Sequence, residues 1–278
     1  MSKKTSTENT VPRAAKIALV TALMGLALAA PFSAKAVSLV ADYTFNNNLN
    51  SSVGGAPALV PTNPLGLNGF GTATVFGNIH PVYNYVGNAT PVNQQAGLTL
   101  DTTGLISANS YSVQVVVSMQ NINGWRRLVD VQNRQSDNGF YYDPSHHLDV
   151  FPVAGGGTMV AANTFEDVVL TVAPNGTVKG YLNNDLEFTT VTPVMNINNP
   201  GNLMNFFLDN VVGGGQGEFS SGSVAEIKLY SGTLTDQEVA NLDVQPLSPV
   251  PDVGSTLTLM SLAMGTLVGF CRKLRRRQ

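Results

Sequence analysis

Tyr111-Ser112-Val113-Gln114-Val115-Val116-Val117-Ser118-Met119 is the stretch that decides the fold. Tyr111, Val113, Val115, Val117 and Met119 fall on one side of an extended chain; Ser112, Gln114 and Ser118 fall on the other. This period of two belongs to a strand with one face in a core. Val116 interrupts the polar side, so a second layer is expected over part of that face.

Outward from this strand the pattern repeats. Leu39, Ala41, Tyr43 and Phe45 alternate with Ser38, Val40, Asp42 and Thr44. Further strands are expected at residues 125–131, 139–142, 147–151, 167–173, 177–182, 186–191, 203–208 and 223–230. Residues 56–93, rich in Gly, Pro and Asn, read as short strands joined by long loops. Asn123-Gly124, Asn138-Gly139, Asn175-Gly176 and Asn183-Asn184 accept the positive φ that two-residue hairpins require. Many short strands with regular turn signals indicate an all-β sandwich. One short helix is expected in the body, where Thr235 and Glu238 form a capping box ahead of Val239 and Leu242.

The two ends have a different character. Lys3, Lys4, Arg13 and Lys16 precede an apolar run from Ile17 to Ala30. Pro31 and the Ala34-Lys35-Ala36 triplet follow, which is the layout of a secretory signal peptide cut after Ala36. At the other end Val250-Pro251-Asp252 leads into an uncharged apolar run, Val253 to Cys271. Arg272, Lys273, Arg275, Arg276 and Arg277 close the chain. The run is near the ~20 residues a helix needs to cross a bilayer, and the basic cluster orients it. The expected organisation is a signal peptide at 1–36, a sandwich at 37–244, a Pro-rich linker with a sorting motif at 245–252, and a transmembrane helix with a basic tail at 253–278.

Removing the ends changes the charge. Between them lie five basic residues (Arg126, Arg127, Arg134, Lys179, Lys228) against sixteen acidic ones, a net charge of −11. Such a surface argues against nucleic acid, whose binding depends on neutralising phosphates with Lys and Arg. The single cysteine, Cys271, leaves the body without disulfides, so its core alone must hold it.

The C-terminal pattern of Val250, Pro251 and Asp252, followed by Gly254, an apolar run and an Arg cluster, resembles the PEP-CTERM sorting signals of exported bacterial proteins, in their VPD-type variant. The resemblance implies processing by an exosortase, a membrane enzyme that cuts near the motif. It also implies delivery through the inner membrane to the cell surface or extracellular matrix. A plain membrane anchor is the alternative.

The body has its own resemblance. Ala41-Asp42-Tyr43-Thr44-Phe45 with the polar loop at 48–52, Phe165-Glu166-Asp167-Val168-Val169, the hairpin at 175–186, and Val224 to Tyr230 with Leu234 to Val239 occur in that order. In this order they resemble a LamG-like jelly roll of the concanavalin A-like superfamily. The resemblance implies an all-β, concanavalin A-like jelly-roll sandwich that binds carbohydrate or protein, with calcium held by acidic groups near its edge. Asn50 and Ala225 stand where two of those acids are common, and Phe165 and Asp167 stand where Trp and His are common.

No catalytic set emerges. A glucanase of this superfamily carries alternate carboxylates along one strand, placing acid and nucleophile on one face. The nearest matches are Glu166-Asp167, which point to opposite faces, and Asp185-Leu186-Glu187, which lies beside a turn. His146 and His147 are adjacent and so face apart on a strand; with Asp143 and Asp149 they read as a turn rather than a metal site. Trp125, next to Arg126 and after the Asn123-Gly124 turn, can stack on a sugar ring or fill the core. Of Tyr141 and Tyr142, one is expected inside and one outside. Trp125, Arg126 and Tyr142 are the candidate ligand contacts, and no catalytic residue is assigned. The expected protein is a non-catalytic, exported envelope component. A glycan hydrolase with an unrecognised acid pair, or a purely structural surface protein, is the alternative.

Overall fold

The structure is a computed structural model that describes residues 37–212 and 216–243. The signal peptide, its cleavage site at Ala34 and Ala36, the sorting motif of Val250, Pro251, Asp252 and Gly254, and the membrane segment lie outside the described residues. Among the described residues no helix is long and apolar enough to cross a membrane.

Among the described residues fifteen strands run in order: β1 (Ser38–Tyr43), β2 (Val60–Thr62), β3 (Gly69–Val75), β4 (Asn78–Tyr85), β5 (Gly97–Asp101), β6 (Tyr111–Met119), β7 (Arg126–Asp130) and β8 (Gly139–Tyr142). Then come β9 (Leu148–Phe151), β10 (Ala154–Gly155), β11 (Glu166–Val172), β12 (Thr177–Leu182), β13 (Asp185–Val191), β14 (Leu203–Phe206) and β15 (Gly222–Ser231). One helix, α1 (Asp236–Ala240), follows. An eight-stranded sheet has the order β13-β12-β11-β6-β15-β4-β3, with β1 also paired to β15. A seven-stranded sheet has the order β10-β9-β8-β7-β14-β5-β2. This is an all-β sandwich of two antiparallel sheets.

The core lies between them. Tyr111, Val113, Val115, Val117 and Met119 of β6 all join it, as their spacing requires. From the facing sheet come Leu98 and Leu100 of β5, Phe140 and Tyr142 of β8, Leu148 and Val150 of β9, and Met204 and Phe206 of β14. The other side of β6 is covered as well. Val116 packs with Val75, Val82 and Ala225. The Ser112 hydroxyl donates to the Gly232 carbonyl (3.1 Å) and accepts from Leu234 N–H (2.9 Å). Val239 of α1 packs beside Val169, Tyr181, Tyr230 and Leu234, and the Thr235–Glu238 capping box that starts this helix is formed.

Several local expectations change. Residues 69–85 are not loose: β3 and β4 form a hairpin in full register, closed by Phe76 and Gly77 at φ 45° and 89°. β5 is a strand beyond those expected, although Leu98 and Leu100 alternate with Thr99 and Asp101 along it, and β2 pairs with it. Asn175-Gly176 and Asn183-Asn184 do close hairpins, but Asn123-Gly124 lies in the crossing from one sheet to the other. Asn138-Gly139 is not a two-residue hairpin either: neither residue has a positive φ, residues 131–138 connect β7 to β8, and Gly139 is required because a Cβ there would sit 2.8 Å from an Arg127 guanidinium nitrogen. A bulge between Leu39 and Ala41 shifts β1, so Ala41 and Tyr43 enter the core while Leu39 stays exposed.

Candidate functional site

The loop that carries the chain from β6 to β7 holds Trp125 and Arg126. Asn121 Oδ1 accepts from Asn123 N–H (2.8 Å), and Gly124 supplies φ 80°. The Arg126 guanidinium donates to the carbonyls of Asn121, Asn123 and Trp125, closing the loop on itself. Trp125 is half-buried on the outer face of the seven-stranded sheet. Its ring meets Phe151 (5.0 Å) and Tyr141 (5.5 Å) edge to face, the arrangement favoured by aromatic quadrupoles. Trp125 is therefore neither a core residue nor a free-standing one: one side is braced by two rings and part of it reaches solvent.

Tyr142 is not a ligand contact. Strand alternation turns it inward with Phe140, where it is 2 % exposed and part of the core. Tyr141 points outward yet is fully buried too, because Trp125, Phe151 and the Asp137 loop cover it. Its hydroxyl donates to the Asp137 carbonyl (2.7 Å).

Beneath this aromatic group sits a charged network that the sequence pattern does not announce. Arg127 is buried, and all five of its guanidinium N–H donors are engaged. They reach Asp209 Oδ1 (3.2 Å), Asp130 Oδ1 (3.1 Å) and the carbonyls of Asn138, Ser136 and Asp137 (3.0, 3.2 and 3.1 Å). The guanidinium also stacks 4.5 Å over the Tyr141 ring. Asp130 passes the chain on to Asn205 (2.9 Å), which accepts from Thr99 (2.7 Å). A polar row thus crosses the outer face of β7, β14 and β5. Arg134 donates to the Asp209 carbonyl and to Gln95 Oε1, holding the β7–β8 and β14–β15 loops together.

Asp137, Asp209 and Glu218 bring carboxylate oxygens within 4.8 Å of one another. Burial pushes Glu218 up to about 8, with the Asp209 and Asp137 charges adding to the shift. Burial also raises Asp137 and Asp130, outweighing the Arg127 charge beside each. As a calcium site this set fits poorly. Asp209 Oδ1 is taken by Arg127, its Oδ2 accepts from Gly217 N–H and Glu218 N–H, and the positive charge is already supplied by guanidinium.

The remaining sequence candidates lie elsewhere. Asp143 Oδ1 accepts from Ser145 N–H and His147 N–H, and His146 sits at φ 69°, so this segment is a turn. Burial, helped by Asp143, raises Asp149 to about 6. Glu166 and Asp167 face apart: Glu166 accepts from Asn183, whereas Asp167 is buried against Gln114 (2.8 Å). Glu187 accepts from Gly157 N–H and Thr158 N–H (both 2.9 Å). The sequence does carry one pointer to the Arg127 network: three of the body's five basic residues fall within 126–134, in an otherwise acidic domain.

Comparison with known proteins agrees with the geometry. A Laminin_G_3 model, described as the concanavalin A-like lectin/glucanases superfamily, matches residues 92–240. No curated protein matches the chain. Among solved structures, domain 4 of a GH43 extracellular arabinanase from Geobacillus stearothermophilus, in complex with arabinotriose, is similar at 20% identity and a TM-score of 0.55, over 74% of this chain and 98% of that one. The binding domain of botulinum neurotoxin DC is similar both in its complex with rat synaptotagmin II and in its complex with SialylT. Each shares 13% identity at a TM-score of 0.51, over 75% of this chain and 52% of that one. This chain therefore spans about half the length of the toxin domains. Since the family model covers more than half of its residues, the chain belongs to the concanavalin A-like lectin/glucanases superfamily.

Proposed function

We propose that this is an exported, non-catalytic protein of the cell envelope or extracellular matrix that binds extracellular glycan or protein through the outer face of its seven-stranded sheet. The observation that carries the reading is the braced, half-buried Trp125 ring beside Arg126 on one pinned loop. A partly exposed aromatic face with adjacent hydrogen-bond donors suits a sugar ring, whose C–H faces are apolar and whose rim is hydroxylated. Ligands seen on the related folds, arabinotriose on the arabinanase domain and synaptotagmin II on the toxin domain, are of these two classes. Export through the signal peptide and sorting by an exosortase at Val250, Pro251, Asp252 and Gly254 belong to the same proposal, with signal peptidase and the inner membrane as transient partners. An acidic body argues against nucleic acid.

The test is glycan-array binding with and without chelator, comparing the wild type with Trp125→Ala. Binding that survives the substitution sinks the Trp125 site, and binding that needs calcium adds the ion as a cofactor.

A second reading has one observation behind it. Asp137 and Glu218 are close, partly accessible carboxyls, and Glu218 stays protonated to about 8. A raised acid beside a second carboxylate is the arrangement of a glycoside hydrolase. Turnover of a polysaccharide that is lost in Glu218→Gln would establish that reading and remove the non-catalytic one.

A further inference from the structure

A groove of about 660 Å³ opens at one end of the sandwich, between the β5–β6, β7–β8 and β13–β14 connections. Its size is within the range of small-ligand sites. We infer that this groove is a binding site for a short neutral oligosaccharide; the inference rests on the glycan-binding reading and adds a site apart from Trp125.

The chemistry of its lining selects the ligand. No Asp, Glu, Lys or Arg lines the groove, so nothing there balances a charged group. Carboxamides line it instead. Among the described residues, the side chains of Asn109, Asn138 and Asn198 make no hydrogen bond. Asn196 Oδ1 is shielded from solvent and has no donor. An acceptor left without a partner costs free energy, and a turn of the Asn196 carboxamide into the groove would let a ligand hydroxyl satisfy it. A carboxamide both donates and accepts, as does a sugar hydroxyl. Pro193 and Val194 provide apolar surface for the C–H side of a ring.

The walls are already fixed. Ile197 N–H donates to the Ala108 carbonyl (2.9 Å), tying two of the three connections together. Gln132 Nε2 donates to the Asn196 carbonyl (3.1 Å), tying in the third. Asn199 Nδ2 reaches the Val131 carbonyl (2.8 Å), and the Tyr111 hydroxyl bonds to the Met195 carbonyl from inside the core. Little ordering is left to be done on binding, which favours a specific site.

The experiment uses the full chain in detergent, titrated with arabinotriose, cellotriose, maltotriose and the anionic trigalacturonate. Binding of at least one neutral trisaccharide is expected, weakened tenfold or more in Asn196→Ala and in Asn138→Ala. Asn109→Ala, at an exposed position, guards against a folding artefact and is expected to weaken binding with an unchanged thermal midpoint. If the Asn variants bind as wild type while Trp125→Ala does not, the groove falls and the proposed function stands. Binding of trigalacturonate alone has the same consequence. If none of the four is bound the groove falls, and if the glycan array is also blank the proposed function falls with it.

Discussion

Arg127 and Asp209 meet at 3.2 Å with neither side chain exposed, joining residues 82 positions apart in the chain. Asp130 completes the ion pair from the other side, and three loop carbonyls use up the remaining donors. Removing the guanidinium would strand two buried carboxylates. Arg127→Met is expected to cost about 3–5 kcal/mol, read from the urea midpoint. Arg127→Lys should recover little of that loss, since an ammonium cannot reach five acceptors in one plane. A change under about 1 kcal/mol in either variant would contradict the assigned role.

Stability should fall as pH rises from mildly acid to mildly alkaline. Glu218 titrates near 4.5 when free and at about 8 in the fold, so the folded state holds the extra proton between these values. Its contribution is complete below the free value and is lost as pH passes the folded one. Asp167, raised to about 7, and Asp149, raised to about 6, act in the same direction. Asp101, Glu187 and Asp236 are lowered and lose their contributions in acid, so the optimum is expected on the acid side of neutrality. Thermal midpoints across the acid-to-alkaline range read this directly, and Glu218→Gln should flatten the alkaline side.

Trp125→Ala separates stability from binding. The ring has two edge-to-face neighbours but is only half-buried, so a loss of about 1–2 kcal/mol is expected. Glycan binding at that face should disappear, and Trp125→Phe should keep part of it. A loss above about 4 kcal/mol would be that of a core aromatic and would remove Trp125 from the ligand site.

Gly97 has no room for a methyl group. A Cβ there would lie 2.3 Å from the Phe206 carbonyl oxygen and 2.7 Å from Leu208 Cγ. Gly97→Ala is expected to cost about 1–3 kcal/mol by forcing β5 from β14, measured by calorimetry.

Delivery is tested by intact mass of the protein recovered from cells. Loss of residues 1–36 and cleavage near Asp252 are expected together. A full-length species in the cytosol would contradict export.

How far the fold can be read from the sequence follows the strength of each local pattern. β6 alternates over nine residues and sits at the centre of its sheet, so its inward set is plain. β3, by contrast, reads Gly-Phe-Gly-Thr-Ala-Thr-Val at a sheet edge, and only Val75 of it is buried. With so little apolar demand, pairing to β4 makes the strand, and that pairing is invisible locally. Asn123-Gly124 has the residues of a hairpin, but turn chemistry does not encode which sheet the next strand joins. Alternation correctly divides Tyr141 from Tyr142, yet it does not reveal that Trp125, Phe151 and the Asp137 loop roof the outward one, so both are covered. The Arg127 network is hidden for a different reason: its partners come from separate segments of the chain, brought together only by the fold.

β15 is made late yet sits in the middle, with β6 on one side and β1 and β4 on the other. Until that strand has been synthesised, β13-β12-β11-β6 on one side and β4-β3 on the other cannot join into one sheet. The growing polypeptide is like a jacket whose central panel is sewn in near the end, so shortening the chain before Gly222 would leave a molecule unable to fold rather than a smaller one.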